Sequence, residues 1–389
     1  MTTTLLVSAL VVYSAQGMLV PVLAPVTRLV GLGEVDLGAV MTLSAAMLVI
    51  AGPWWGREVD RIGVHTVLVR GLLIATVGAT GFAVMTEISA REELPRWVVL
   101  GAFALTRGVL YGLGFAAVPV AALTYLASTS QGAIERTKAM GAFGAVQGIS
   151  LVVGPALGGL AAIGGLLLPV YLAPVLVGAT LVAVWLLPVP ERQERPERER
   201  LGFRDPRVLP FLLAGGALFL GLALVEIILG FLVQDRLGLS DTATAQVVAV
   251  AGVLIGIGFA VTQAFVAPRV PGGPRALIVV GSLVAAVGYA GAVFASSTAT
   301  LLPAMVVVAA GLGLAVPGYN AGATLAVEPS EHAAVAGQLS ATVGLTYVAG
   351  PVMGAGLYGL NDVAPIVGAA LLSVVAAGLA FARLRPVAR

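Results

Sequence analysis

The chain has 389 residues, of which 59% are hydrophobic and 10% are charged, with a formal net charge of +2 and a mean hydropathy of +1.03. Soluble domains carry about 25% charged residues, so this composition excludes a water-soluble protein. Cysteine is absent, which excludes disulfides and thiolate metal sites. The two histidines, His65 and His332, which we place in loops, are too few for a histidine metal cluster. We therefore expect neither a metal nor a cofactor.

Runs of apolar residues, each of membrane-spanning length, lie six before and six after the polar segment Glu191 to Arg200. A run of about 20 apolar residues crosses the hydrocarbon core as a helix. Only helices and closed barrels satisfy their backbone hydrogen bonds there. We predict an all-α polytopic membrane protein with twelve transmembrane helices in two pseudo-symmetric six-helix bundles. The predicted spans are 4–27, 38–55, 66–88, 97–125, 139–163, 167–187, 208–234, 243–267, 276–295, 301–325, 333–357 and 364–382.

The loop between the second and third spans carries the sharpest short motif, Gly56-Arg57-Glu58-Val59-Asp60-Arg61-Ile62-Gly63. This G-x-x-x-D-R-x-G pattern resembles the signature loop of the major facilitator superfamily, and the resemblance extends over the whole chain. It implies a conformational latch formed by Gly56, Asp60, Arg61 and Gly63. Gly56 would allow a close helix approach, and Asp60 would bind neighbouring helix ends until the two halves rock. The residues that follow, Val64 and His65, depart from the paired basic residues usual in the family.

The fourth span contains Arg107-Gly108-Val109-Leu110-Tyr111-Gly112-Leu113-Gly114. This segment resembles the superfamily's arginine-bearing fourth-helix motif, although its spacing is one residue longer than the commonest form. The resemblance implies that Arg107 faces the central cavity.

The fifth span carries Gly154, Pro155, Gly158 and Gly159, and the eleventh carries the related run Gly350 to Gly356, which begins 196 residues later. A proline inside a helix removes one backbone hydrogen bond and bends the helix, and small residues let helices pack closely in membranes. The pair therefore indicates duplicated halves. The fifth-span copy resembles a motif associated with proton-coupled antiporters. Among superfamily members the chain is most similar to twelve-span drug–proton exporters of the tetracycline type.

The polar segment after the sixth span is the one plausible domain boundary. We predict an N-terminal bundle over 1–189, a charged cytoplasmic linker over 190–207 and a C-terminal bundle over 208–389. The favoured interpretation of the linker is a solvated tether. The alternative is a basic segment that contacts anionic lipid headgroups.

Two charged residues lie well inside the predicted spans, Arg107 in the fourth and Glu226 in the seventh. A charge at the bilayer centre costs about 2.5–3.5 kcal/mol on insertion scales, so it usually has a function. Their depths below the outer surface, roughly ten and roughly eight residues, agree within about one helical turn. We predict that both take part in proton coupling, with Glu226 binding and releasing the proton. The alternative is a static role, with Arg107 bonded to backbone carbonyls and Glu226 a structural partner.

Further polar side chains lie in the spans that line the cavity in the superfamily architecture. Tyr13 and Gln16 share one face of the first span, Tyr111 lies one turn from Arg107, and Asn320 lies deep in the tenth span. We predict these four as contacts of the substrate. A pocket otherwise lined by apolar side chains favours lipophilic cargo over sugars, and the scarcity of Lys and Arg argues against phosphate cargo.

Basic residues set the orientation of membrane helices. Of the 21 Lys and Arg residues, sixteen fall on one side if the N-terminus is inside, four on the other, and Arg107 lies within a span. We predict a multi-pass protein of the cell inner (plasma) membrane with both termini in the cytoplasm.

An enzyme is not expected, because the spans hold no nucleophile-and-base set and no metal ligands. An ATP-driven pump is excluded by the lack of a P-loop motif. We predict a secondary transporter that exports small amphipathic compounds by proton antiport with alternating access. It would act as a monomer in the lipid bilayer and would bind no nucleic acid. The alternative is a proton-coupled symporter that takes up a small organic acid, with Arg107 holding the carboxylate.

Overall fold

The computed structural model describes residues 2–129, 132–187, 202–328 and 331–384. Within these ranges the regular structure is helical, and twelve helices are long and apolar enough to cross a membrane. The predicted fold class is confirmed. In chain order the helices of the twelve spans are Thr2–Leu29; Glu34–Ile62; Val64–Arg91; Arg96–Phe103, Ala104–Leu110 and Tyr111–Thr129 (fourth span); Gly132–Gly164; Leu168–Trp185; Leu209–Glu226 and Leu229–Leu237 (seventh span); Asp241–Val261, Thr262–Val266 and Ala267–Arg269 (eighth span); Gly273–Val293; Thr298–Leu325; His332–Leu360; and Ala364–Arg383.

Several helices run beyond the predicted spans. The second, predicted over 38–55, extends from Glu34 to Ile62. Its additional turns contain charged residues, which hydropathy assigns to loops although the helical hydrogen bonding continues through them. Apolar content therefore locates the middle of a span, whereas turn residues decide where its helix ends.

The chain divides into two compact units. The first unit comprises Met1–Arg195 with Leu239–Val253, and the second comprises Pro196–Gly238 with Leu254–Arg389. The predicted boundaries at 190–207 stay a prediction, because residues 190–201 of this linker lie outside the described residues.

Glycine seams join neighbouring helices within each unit. In the first unit a methyl group on Gly114 of the fourth span would overlap the backbone of Gly71 and Ala75 in the third, and one on Gly71 would overlap the side chain of Ala117. In the second unit Gly281 of the ninth span and Gly311 of the tenth make the equivalent contact. Lipid tails are as apolar as the side chains, so close packing rather than the hydrophobic effect holds such helices together.

The two proline-glycine motifs make equivalent contacts. In the first unit a methyl group on Gly158 would overlap the carbonyl oxygen of Met18 in the first span. In the second unit a methyl group on Gly354 would overlap the carbonyl oxygen of Leu224 in the seventh span. The motifs thus place the first and seventh spans at matching positions within their own units.

Gly354→Ala should lower the free energy of unfolding by about 1–3 kcal/mol, the usual cost of overpacking. The matched control is Gly356→Ala in the same helix, where a methyl group meets nothing within 4 Å. That variant should be neutral or slightly stabilising, because Ala favours helix over Gly. Denaturant unfolding in detergent micelles measures both. Equal stability of the two variants would mean that this contact does not require glycine.

Candidate functional site

Arg107 lies in a π-helical segment, Ala104–Leu110. There the N–H of Tyr111 donates to the carbonyl of Thr106, five residues earlier instead of four. Such a segment holds one extra residue in the helix and is frequent at functional sites. Gly78 of the third span packs against this place, nearest to the Tyr111 nitrogen and the Thr106 oxygen.

The tenth span shows the same contact without the extra residue. Gly288 of the ninth span packs against the Val308 nitrogen and the Ala304 oxygen, which belong to residues four apart. The one-residue-longer spacing between Arg107 and Gly112 is therefore absorbed as a π turn, and Arg107 lies within that turn.

The arginine cluster comprises Tyr13, Gln16, Arg107, Tyr111 and Phe115, all in the first unit. Arg107 is 1% exposed, and its Nη2 donates to Oε1 of Gln16 at 2.9 Å. Its guanidinium carbon lies 4.5 Å from the ring centre of Tyr111, a cation–π contact. Within the described part of the chain, Nε and Nη1 of Arg107 have no hydrogen-bond partner.

Aromatic rings form one wall of the arginine cluster. Tyr111 and Phe115 are stacked with ring centres 5.9 Å apart, and Tyr13 meets Phe115 edge-on at 5.1 Å. Gln147 of the fifth span donates to the hydroxyl of Tyr13 at 3.1 Å. Tyr13, Gln16 and Phe115 are only partly buried, so this wall is accessible while the guanidinium behind it is covered.

The glutamate cluster comprises Glu226, Tyr289 and Tyr347, all in the second unit. The hydroxyl of Tyr347 donates to Oε2 of Glu226 at 3.0 Å. Tyr289 interacts electrostatically with Glu226, and its buried hydroxyl has no hydrogen-bond partner among the described residues. Glu226 itself is exposed, although Ala223, Leu224 and Val225 before it are buried.

The seventh span is broken at Glu226. Its first helix ends at this residue and the second begins at Leu229. Ile227 and Ile228 between the two helices keep right-handed helical dihedral angles, so the interruption is a local irregularity directly after the carboxylate. Discontinuous helices of this kind form the coupling-ion sites of many transporters.

The predicted site residues are divided between the two units. Tyr13, Gln16 and Tyr111 gather around Arg107 in the first unit. Asn320 lies in the second, where its side chain is exposed and its carbonyl accepts from Thr324 at 2.8 Å. The role of Arg107 and Glu226 in proton coupling stays a prediction.

The signature loop is shorter than predicted. Gly63 alone separates the second and third helices, and its φ of +85° is a conformation that glycine adopts without strain. Among the described residues, a methyl group on Gly56 would meet nothing within 4 Å. Asp60 and Arg61 are exposed, and Arg61 pairs with Glu58 at 3.4 Å.

The prediction that both histidines lie in loops was wrong. His65 is in the first turn of the third helix, where it is buried with Nε2 2.9 Å from the carbonyl oxygen of Val184. His332 begins the helix His332–Leu360. The reason is that the helices resume almost immediately after the turns. In the described ranges no group of three or more His, Asp or Glu residues is placed to hold a metal ion.

The fifth-span motif also contacts the part of the eighth span that belongs to the first unit. A methyl group on Gly159 would overlap the side chain of Ala249. A methyl group on Gly252 would lie 2.7 Å from Cβ of Pro155. Gly154 packs against Gly17 of the first span. The motif is therefore in contact with two helices.

The linker ends in a charge cluster within the second unit. Arg207 donates to Asp205 and also to both carboxylate oxygens of Glu331, at 2.8 and 2.9 Å. These hydrogen bonds lower the pKa of the Asp205 and Glu331 carboxyls below their ordinary values of 3.8 and 4.5. The cluster connects the start of the seventh span to the start of the eleventh.

Sequence analysis missed Phe115, Tyr289 and Tyr347. Phe115 carried a usable signal, since it lies four residues after Tyr111 and hence on the same helix face. Tyr289 and Tyr347 carried none, because their helices contact Glu226 only in the folded bundle.

The sequence model of the Major Facilitator Superfamily matches residues 5–351 of the chain. The chain belongs to the major facilitator superfamily. Members of this superfamily are transporters, so the protein is a multi-pass membrane transporter and not an enzyme. The resemblance seen in the signature loop is thereby confirmed.

Two curated relatives of this superfamily transporter are tetracycline resistance proteins. The class C protein of Escherichia coli is 28% identical over 361 residues, which cover 87% of this chain and 85% of the relative. The class G protein of Vibrio anguillarum is 28% identical over 362 residues, covering 88% and 86%. Among solved structures, a bacterial homolog of the human lysosomal transporter Spinster, in an inward-facing and occupied conformation, aligns with a TM-score of 0.75 at 15% identity. It covers 98% of this chain and 95% of that protein, and shows the shared fold.

Deletion of Val109 should convert the π turn to α-helix. We expect the protein to fold with a melting temperature near that of the wild type, because the glycine seam at Gly114 lies beyond the deletion. Arg107 would rotate by about 100° relative to that seam, and transport should fall tenfold or more. Transport in proteoliposomes and thermal unfolding together check this. A deletion variant that transports at the wild-type rate would show that the π turn has no role in function.

Arg207→Gln should lower the melting temperature at pH 7. The depressed pKa of the Asp205 and Glu331 carboxyls means that their contribution is present above pH about 4–5 and is lost as the pH falls through the folded-state values. The deficit of the variant should therefore shrink as the pH falls below about 4. Thermal unfolding over pH 3–8 measures it, with Arg204→Gln, at an exposed position nearby, as the control. A deficit that does not change with pH would contradict the ion-pair explanation.

Proposed function

We propose that this transporter exports small amphipathic compounds in exchange for protons by alternating access. The observation that carries the proposal is Glu226, an accessible carboxylate at a helix break within the seventh span, held by the hydroxyl of Tyr347 at 3.0 Å. The similarity to tetracycline resistance proteins along most of the chain supports export of a drug-like compound.

Glu226 is the proton-binding group in this proposal. As a carboxylate it accepts the hydrogen bond of Tyr347, and as a protonated acid it is neutral and tolerates an apolar environment. The two protonation states therefore favour different surroundings. A conformational change that alters those surroundings also changes the affinity for the proton, which is the coupling that an antiporter requires.

The other predicted elements take supporting roles. Arg107 assists Glu226 in proton coupling. Tyr13, Gln16 and Tyr111 of the first unit contact the substrate, as does Asn320 of the second. The signature loop with Gly56, Asp60, Arg61 and Gly63 stabilises one conformation, and the motif of Gly154, Pro155, Gly158 and Gly159 provides the packing surface on which helices move.

The domain boundaries and topology complete the proposal. The chain consists of bundles over 1–189 and 208–389 joined by a tether over 190–207. Both termini face the cytoplasm from the inner membrane, as the excess of basic residues in alternate loops supports. The protein functions as a monomer.

Glu226→Gln should abolish substrate-evoked proton movement, because glutamine cannot release a proton. Proteoliposomes containing a pH dye measure it with candidate amphipathic compounds. Glu93→Gln, which changes an exposed carboxylate in the loop before the fourth span, should behave as the wild type. Undiminished proton exchange in Glu226→Gln would place coupling elsewhere. Protons and cargo moving in the same direction in the wild type would establish symport instead.

Tyr347→Phe tests the same site with a built-in control. Tyr358 of the same helix donates to Asp235 at 2.7 Å, so the chain offers two tyrosine–carboxylate pairs between the seventh and eleventh spans. Tyr347→Phe should change the pH dependence of transport, whereas Tyr358→Phe should leave the profile unchanged. Identical profiles for both variants and the wild type would argue against a role for the glutamate cluster.

A further inference from the structure

The positive charge of Arg107 is not compensated by a carboxylate among the described residues of its own unit. A guanidinium carries five N–H donors. Arg107 is 1% exposed, and among the described residues its hydrogen bond runs from Nη2 to Gln16. Its Nε and Nη1 have no partner within the described part of the chain. Among the described residues of the first unit, no carboxylate forms an ion pair with it. Buried charges are ordinarily paired, and an unpaired one is strongly unfavourable.

Arginine binds both oxygens of a carboxylate through Nε and Nη2 or through Nη1 and Nη2, the strongest pairings available to it. Nη2 of Arg107 belongs to both of these pairs, so a carboxylate that takes the place of Gln16 on Nη2 can also bond one of the two unpaired nitrogens. Gln16 supplies only a neutral amide oxygen and leaves the positive charge without compensation. Its side chain is partly buried, and its neutral hydrogen bond to Nη2 is the one that an incoming carboxylate would replace.

The aromatic residues around Arg107 indicate which chemical group a ligand would carry beside its carboxylate. Tyr111 and Phe115 form a stacked pair, and Tyr13 contacts Phe115 edge-on. Aromatic walls favour planar aromatic partners in offset or edge-on contact. The hydroxyl of Tyr13 is already bonded by Gln147 at 3.1 Å, so the wall offers mainly apolar ring surface.

From this we infer that the arginine cluster binds an aromatic monoanion, with its carboxylate replacing Gln16 on Nη2 of Arg107 and also bonding Nε or Nη1, and with its ring against Tyr13, Tyr111 and Phe115. The inference rests on the proposed function, because it names the class of compound that is exported. Arg107 then also determines specificity, and Glu226 in the other unit remains the group that binds and releases the proton.

Binding to the purified full-length protein in detergent tests this inference without any proton gradient. The probes are 1-naphthoate and its neutral analogue 1-naphthamide, measured by calorimetry at pH 7.5. We expect the wild type to bind the carboxylate at least tenfold more tightly than the amide. Arg107→Gln should lose this preference while its affinity for the amide stays the same, which also shows that the variant is folded. Arg107→Lys, which keeps the charge without the planar fork, should retain part of the preference.

Arg275→Gln is the matched control. Arg275 lies in the second unit, and its guanidinium also covers an aromatic ring, that of Phe381, at 4.7 Å. This variant should keep the wild-type preference for naphthoate. Acetate should compete at least tenfold less well than naphthoate if the aromatic wall contributes, and equal competition would overturn the aromatic part of the inference.

Equal affinity of the wild type for the carboxylate and the amide would overturn the inference, as would a preference that survives in Arg107→Gln. Neither result would affect the antiport mechanism, which is tested by proton movement in Glu226→Gln. Conversely, loss of antiport with an intact preference for naphthoate would leave the arginine cluster as a binding site in a transporter with different coupling.

Discussion

Close contact between helix backbones is the constraint on which both polar clusters depend. Gly158 packs on the carbonyl of Met18, and Gly354 packs on the carbonyl of Leu224. Gln16 is two residues before Met18, and Glu226 is two residues after Leu224. The same contact that joins the helices therefore sets the rotation and depth of the polar side chains, and a larger side chain at either glycine would displace them.

Irregular backbone occurs in both spans that carry a charge. Arg107 lies in a π turn and Glu226 at a helix break. Regular helices are the least costly structure in lipid, because every backbone group is bonded within the helix. The π turn and the helix interruption coincide with the two intramembrane charges, although the eighth span also contains a π-helical segment, Thr262–Val266. Compared with the tenth span, the fourth holds one extra residue between the two backbone atoms that face the neighbouring glycine.

The two clusters use opposite chemistry. The arginine cluster combines a permanent positive charge with aromatic walls and unpaired donors. The glutamate cluster combines a titratable acid with two phenol groups. A proposed division of labour follows, in which one unit recognises the cargo and the other binds the proton. Two ligands that bias the same conformational equilibrium are coupled even when they never touch.

The sequence by itself determined the twelve spans, the duplicated halves, the superfamily and the two intramembrane charges. Hydropathy and short motifs are local properties, and each of these conclusions needs only local information. It also supplied Tyr13, Gln16 and Tyr111 as polar positions near Arg107. Only the tertiary structure decided which side chains meet. The pairing of Tyr347 with Glu226, the unpaired nitrogens of Arg107 and the buried position of His65 depend on helix rotation and on glycine contacts between helices far apart in the chain, and no local pattern encodes these.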